Sequence, residues 1–127
     1  MRLAIDVNRY RDFVDGVADV VDRFERADEI WMPLMVLAEL RAGFLYGSRS
    51  ARNEQVLHRF LGKPGVGVLA PDTDTTHHYA RLFVQLRKQG TPIPTNDLWI
   101  ASLVVQHDLT LDSRDRHFEH LPQLPQA

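Results

Sequence analysis

The chain has 127 residues, of which 44% are hydrophobic, and a formal net charge of -2 at pH 7. That length fits one domain with its own core, and the slight negative charge argues against a protein that coats nucleic acid by general phosphate neutralisation. Cysteine is absent, which excludes a disulfide framework and a thiolate metal site. The sequence has no secretory signal pattern and no apolar run that would cross a bilayer, so we expect a cytoplasmic protein.

Short apolar runs alternate with helical periodicity, a pattern typical of an α/β domain with a mostly parallel sheet. We expect a single domain over residues 1–127, with a central sheet of four or five strands flanked by helices. A first strand is predicted over residues 2–6. The first helix is predicted over residues 15–27, where valines and a phenylalanine recur at three- and four-residue spacing.

The middle of the chain continues this alternation. "EIWM" predicts a second strand, and the helix "PLMVLAELRAGFLYG" is expected to begin at Pro33 and to end at Gly47. Proline is favoured at the first position of a helix and glycine just after the last, which supports both boundaries. A further helix is predicted over residues 50–62, and "GVGVLAP" predicts a third strand.

The last third of the chain predicts two helices and a strand. The first of these helices is capped by Asp72 or Thr73 and ends at Gly90. The second has Thr95 as its N-cap and extends to about residue 107. "LTLD" predicts a fourth strand, and the tail is expected to hold at most one more short edge segment.

Four acidic residues stand in surroundings where carboxylates are unusual. Asp6 ends the first strand and Asp115 follows the fourth, and the carboxyl edge of an open α/β sheet is where sites are built. Glu39 has apolar or small neighbours at helical spacing. Asp97 falls in the first turn of its helix, where a carboxylate gains ~0.3–1 kcal/mol from the helix dipole. Taken singly, each has an ordinary explanation as a turn residue, a first-turn acid or an acid that reaches solvent.

Together, the four acids predict a cation site. Parallel strands bring Asp6 and Asp115 to one edge, and the two helix acids are expected at the same end. Carboxylates ~4 Å apart repel by about 4 kcal/mol at an effective dielectric near 20, so they either protonate or bind cations. Oxygen ligands select Mg²⁺ or Mn²⁺ rather than zinc, and such a site favours hydrolysis of phosphodiesters.

The ordered set "AIDVN", "LAELRAG", "TNDLWIAS" and "LTLDSRDRHF" resembles the PIN-domain family, and specifically the VapC toxins of type II toxin–antitoxin systems. The resemblance covers nearly the whole chain. It implies a Mg²⁺-dependent endoribonuclease, in which Mn²⁺ can substitute, that a cognate VapB-type antitoxin binds and inhibits. Family members are commonly homodimers, and the resemblance implies an RNA substrate and no membrane partner.

The positions of the motifs imply a role for each acid. Asp6 and Asp97 are expected to hold the metal most directly. Glu39 and Asp115 are expected to complete the acidic pocket and to position or activate water. In this interpretation all four acids are catalytic residues.

Two residues depart from the family pattern. Val7 stands where the family often has Thr or Ser, and Asp112 occupies a position that is usually apolar. Asp112 therefore competes with Asp115 for the role of fourth acid, and strand alternation and the S-x-D spacing favour Asp115. Ser113, in the place of the family's supporting hydroxyl, and Asn8 are expected to support the site.

The basic side chains allow more than one interpretation. Arg9 and Arg11 lie just past the first strand, where they either contact RNA phosphates or bases or belong to a solvated turn. The six histidines, which include an H-x-x-H pair at 117 and 120, match no zinc-site pattern and are expected at the surface or in structural roles. Residues 34–46 and 50–62 are candidates for an apolar antitoxin groove, although core packing explains much of the same pattern.

Other classes of protein share single features of this sequence. A haloacid-dehalogenase-like phosphatase also has an Asp at the end of its first strand, but it needs a second Asp where this chain has Asn8. A receiver-type phosphorylation module needs an acidic pair and a late lysine, and neither is evident. A PIN-like domain with a non-catalytic binding role is the remaining alternative, and the presence of all four acids argues against it.

Overall fold

The computed structural model describes all residues from 1 to 127. Four strands form one parallel sheet in the order β3-β2-β1-β4. They are β1 (Arg2–Ile5), β2 (Glu29–Pro33), β3 (Val66–Leu69) and β4 (Thr110–Asp112). The predicted α/β class with a mostly parallel sheet is confirmed, and the number of strands is four.

Six α-helices and one 3₁₀ helix flank this sheet. They are α1 (Val7–Val14), α2 (Ala18–Arg26), α3 (Leu34–Tyr46), α4 (Ser50–Leu61), α5 (Thr75–Gln89), α6 (Thr95–His107) and η1 (Arg116–His120). None of the helices has both the length and the apolar character that crossing a membrane requires. The edge segment predicted in the tail is a single bridge between Leu111 and Gln126.

Helix α1 is the main departure from the predicted elements. The Asp6 carboxylate caps it, because its Oδ1 accepts a hydrogen bond from the backbone N–H of Val7 at 2.8 Å. Val7 and Tyr10 are the buried residues of this short helix, and Gly16, with φ of 76°, turns the chain towards α2. The helix predicted over residues 15–27 corresponds to α2 (Ala18–Arg26), whereas α1 was not predicted. The chain changes from strand to helix at Asp6, without an intervening turn.

Two predicted helix caps are placed differently in the structure. Thr95 is the first residue of α6, and Pro94 occupies the N-cap position, so the prediction of Thr95 as N-cap is wrong. At α5, Asp74 is the N-cap residue. The Asp72 carboxylate nevertheless accepts a hydrogen bond from the backbone N–H of Thr75 at 3.1 Å, as a capping side chain does.

The central strand β1 is the most deeply buried part of the sheet. Its residues Leu3, Ala4 and Ile5 are fully buried between β2 and β4. The register places Ile5 beside Asp112, and the backbone N–H of Asp6 donates to the carbonyl of Asp112 at 3.1 Å. The sheet therefore brings Asp6 next to the segment that follows β4.

Asp112, the last residue of β4, is fully buried and paired with two arginines. Its Oδ2 accepts a hydrogen bond from Arg23 Nε at 2.8 Å, and its Oδ1 accepts one from Arg9 Nε at 3.0 Å. Arg9 also contacts the Asp12 carboxylate at 3.2 Å. The hydrogen bonds to Asp112 raise the pKa of the Arg23 guanidinium. This network ties α1 and α2 to the edge of the sheet.

Gly67 of β3 lies directly beside its partner in β2, Trp31. A Cβ atom at position 67 would lie 2.9 Å from Cζ3 of the indole ring. We expect Gly67→Ala to lower the free energy of unfolding by about 1 kcal/mol, because overpacking displaces the ring. Urea denaturation measures this change.

Gly67→Ala in a Trp31→Leu chain provides the control. It separates the effect of the close contact with the indole ring on stability from the effect of replacing glycine in the backbone. Without the ring, alanine should be neutral or stabilising in β3, because glycine weakens a strand interior. An equal loss of stability in both chains would show that the indole contact is not the cause.

Candidate active site

The carboxyl ends of β1 and β4 bring Asp6 and Ser113 into contact. Ser113 Oγ donates a hydrogen bond to Asp6 Oδ2 at 2.7 Å. The same Oγ accepts hydrogen bonds from the backbone N–H of Asp115 at 3.0 Å and from Asn8 Nδ2 at 3.4 Å. Asn8 Oδ1 in turn accepts a hydrogen bond from the backbone N–H of Arg114 at 3.0 Å. Both residues that were predicted to support the site thus connect the end of β1 to the segment after β4.

The first turn of α6 meets this segment through Asp97. The ring nitrogen Nδ1 of His117 lies 2.9 Å from Asp97 Oδ2 and 2.9 Å from Asp115 Oδ1. The three ligand atoms lie within 4.8 Å of one another, a spacing that suits one bound metal ion. The Asp97 and Asp115 side chains are 13% and 29% exposed, so solvent reaches the group from one side.

The electrostatics of the group reflect two carboxylates that are close together. Burial and the nearby charges of Asp115 and Asp6 raise the pKa of Asp97 to about 6. Burial also acts to raise the pKa of Asp115, but hydrogen bonds from His117 and Asp97 outweigh it and hold that pKa below its ordinary value. Burial acts to lower the pKa of His117, yet its contacts with the two acids raise it. Such a pair attracts a proton or a cation.

Three of the four predicted acids share this edge of the sheet. Asp6 is joined to Asp115 through Ser113, and its charge acts on Asp97. Glu39 is at an exposed position of α3, and both Asp6 and Glu39 lie outside the group of three ligand atoms formed by Asp97, Asp115 and His117. The part of Glu39 in the site stays a prediction.

The arrangement distinguishes Asp115 from its competitor Asp112. Asp112 is fully buried, and its carboxylate oxygens are held by Arg23 and Arg9. Asp115 is partly exposed beside Asp97, which supports it as the fourth acid. Arg9 has a structural role in this pairing, and contact of Arg9 or of the exposed Arg11 with RNA stays a prediction.

His117 is the residue of this group that the sequence did not predict. It is half-exposed, as a surface histidine would be, but its ring lies between two acids. The available signal was the D-x-H spacing from Asp115, because Asp115 caps η1 and accepts a hydrogen bond from the backbone N–H of His117 at 2.9 Å. The H-x-x-H spacing to His120 carried no such information.

Comparisons with known proteins identify the family of this chain. A family model described as the PIN domain matches residues 15–124, a segment that contains Glu39, Asp97 and Asp115 and begins after Asp6. Ribonuclease VapC5 of Mycobacterium tuberculosis is 30% identical over 94 residues, which cover 74% of this chain and 70% of that protein. Ribonuclease VapC2 of Rickettsia felis is 30% identical over 111 residues, which cover 87% of this chain and 81% of that protein.

Solved structures show the same fold. The VapBC2 complex of Rickettsia felis bound to a DNA fragment from its promoter contains a chain that matches with a TM-score of 0.87 at 24% identity, covering 100% of this chain and 98% of that one. The DNA-bound VapBC of Salmonella typhimurium matches with a TM-score of 0.88 at 22% identity, covering 100% and 97%. These findings remove the phosphatase and receiver alternatives. The chain belongs to the PIN-domain family and, within it, to the VapC ribonucleases.

Proposed function

We propose that this protein is a metal-dependent endoribonuclease and the toxin of a type II toxin–antitoxin pair. The relatives that carry the name Ribonuclease VapC support the class of reaction. The observation that carries the proposal is the convergence of Asp6, Asp97 and Asp115 at the carboxyl edge of one parallel sheet.

The donors at this edge fit a hard divalent cation. Carboxylate oxygens are the preferred ligands of Mg²⁺ and Mn²⁺. Burial is the largest cause of the raised pKa of Asp97, and the nearby charges of Asp115 and Asp6, which an ion would compensate, add to it. Asp6 and Asp97 would hold the ion most directly, and Asp115 and Glu39 would complete the pocket. Mg²⁺ is the ion that we assign, with Mn²⁺ as a substitute. When bound, such an ion polarises a phosphoryl oxygen and lowers the pKa of a water molecule.

The side chains around the pocket orient the acids for this chemistry. The Ser113 hydroxyl fixes one oxygen of Asp6, and the N–H of Val7 fixes the other, so the carboxylate cannot rotate away from the edge. Asp115 keeps a low pKa, stays ionised and can therefore accept a hydrogen bond from an attacking water molecule. These residues position the attack on the RNA phosphate, and fixed geometry of this kind is a large part of catalysis.

The partner of the toxin is a VapB-type antitoxin. The solved neighbours named VapBC support this partner. Helices α1, α3 and α4 enclose an open cavity of about 300 Å³, which is lined in part by Tyr10, Leu40, Phe44 and Val56. We take this cavity as the antitoxin groove, which would lie along the two apolar segments, residues 34–46 and 50–62.

Removal of the metal tests the proposed function. The purified chain should cleave RNA in Mg²⁺, lose cleavage in EDTA and recover it when excess Mg²⁺ is added, because the acids alone cannot stabilise the charge on the phosphate. Structured and unstructured RNA are incubated and separated on denaturing gels.

A pair of variants provides the control for this experiment. Asp6→Asn should lose cleavage, whereas Asp22→Asn, at an exposed position of α2, should cleave as the unchanged chain does. Cleavage that survives both EDTA and Asp6→Asn would show that the acidic edge is not the site of a metal-dependent reaction.

A further inference from the structure

We propose that His117 is itself a ligand of the metal, through Nδ1, so that the site is a mixed nitrogen and oxygen site whose affinity for Mn²⁺ depends on the imidazole ring more than its affinity for Mg²⁺ does. The inference rests on the proposed function, because it takes the acidic edge as a metal site. It adds to the four acids a residue of a different chemical class.

The spacing of the atoms carries this assignment. His117 Nδ1 is 2.9 Å from Asp97 Oδ2 and 2.9 Å from Asp115 Oδ1. In an octahedral ion with bonds of about 2.1 Å, neighbouring ligand atoms lie about 3.0 Å apart. The ring nitrogen therefore already lies from each of the two oxygens at the separation of adjacent ligands of one ion.

Two features of η1 fix the backbone of His117 and thereby the position of its ring. Asp115 Oδ1 accepts a hydrogen bond from the backbone N–H of His117, which fixes the first turn of η1. The next residue, Phe118, is fully buried and anchors η1 in the core. His120, at the end of the same helix, makes no such contact with an acid and has an exposed side chain. The position of the ring between two carboxylates is thus particular to His117.

An imidazole ligand changes which ion the site prefers. Mg²⁺ takes oxygen ligands, whereas imidazole nitrogen binds transition metals better, and affinities for one site rise from Mn²⁺ along the first-row series. Loss of the ring should therefore weaken Mn²⁺ binding more than Mg²⁺ binding. A histidine that only fills space beside the acids would leave the ratio of the two affinities unchanged.

Electron spin echo envelope modulation of the full chain loaded with one equivalent of Mn²⁺, without RNA, tests the assignment. We expect nitrogen modulation from a coordinated imidazole in the unchanged chain and in His120→Asn, and none in His117→Asn or His117→Gln. By calorimetry, the Kd for Mn²⁺ should rise about tenfold in both His117 variants, and the Kd for Mg²⁺ by less than about threefold. Circular dichroism of each variant verifies its fold.

The possible failures are distinguishable. Mn²⁺ binding without nitrogen modulation, or with modulation that persists in the His117 variants, overturns the assignment of His117 and leaves the proposed function standing. An unchanged chain that binds neither Mn²⁺ nor Mg²⁺ overturns both. Asp97→Asn, which replaces a charged carboxylate ligand with a neutral amide, should abolish binding of either ion if the site is the acidic edge.

Discussion

Asp97→Asn should lower kcat for RNA cleavage by at least about 10²-fold, a loss typical of removing one charge-stabilising group from an active site. The ring of His117 lies between Asp97 and Asp115, and burial together with the nearby charge of Asp115 raises the pKa of Asp97 to about 6. Asparagine keeps the size of the side chain but removes the charge that would hold the cation. Single-turnover cleavage of a labelled RNA at saturating Mg²⁺ measures the effect.

The opposite end of the same helix provides a matched control. Asp108 follows α6 in the left-handed conformation, with φ of 54°, which asparagine adopts readily. Asp108→Asn makes the same change in net charge, and it should leave both cleavage and the melting temperature unchanged. If Asp97→Asn keeps more than a tenth of the activity, the assignment of Asp97 as a direct metal ligand is wrong.

Arg23→Met should lower the free energy of unfolding by about 3 kcal/mol, because it leaves a buried carboxylate without its main partner. Asp112 is fully buried, and Arg23 donates two hydrogen bonds to it, at 2.8 and 3.2 Å. The loss falls at the lower end of the range for broken buried pairs because Arg9 remains bonded to Asp112. Guanidinium denaturation monitored by tryptophan fluorescence measures it.

Arg26→Met is the control on the same helix. Arg26 is 78% exposed and pairs only with the exposed Asp22, so its loss should change stability by less than about 1 kcal/mol. Adding Asp112→Asn to Arg23→Met should recover part of the loss, because the neutral amide costs less to bury than an unpaired charge. Equal effects of Arg23→Met and Arg26→Met would mean that the buried pair contributes nothing beyond a surface contact.

Much of the fold was predictable because its signals are local. Apolar runs predict the four strands, and α3 was bounded correctly by Pro33 and Gly47, which act within a few residues of themselves. Helix α1 was not predicted, because Asp6 directly follows β1 and caps α1. No turn residues therefore mark the boundary between the two elements. A short helix with few apolar residues gives a weak periodic signal.

The site residues could be predicted only where an acidic residue follows a strand or begins a helix, because those positions lie at one end of the sheet. Asp6 and Asp115 follow strands and Asp97 opens a helix, so sheet topology alone brings them to one end. The contacts of His117 and Arg23 depend on packing between distant segments, as shown by the 89 residues that separate Arg23 from Asp112. No local pattern records such contacts, and the sequence therefore left Asp112 and Asp115 as competitors.

Asp112 and Asp115, at and just after the end of β4, lie in different environments, although only Ser113 and Arg114 separate them in the chain. Asp112 is neutralised from within by Arg9 and Arg23, and Asp115 remains open to the solvent side. Arg9 and Arg23 thus act as internal counterions of Asp112. The charge of Asp115, in contrast, remains beside Asp97 and His117. A variant that lost both arginines but kept Asp112 would bury a carboxylate with no charged partner, so the end of β4 would become a source of instability next to the acidic site.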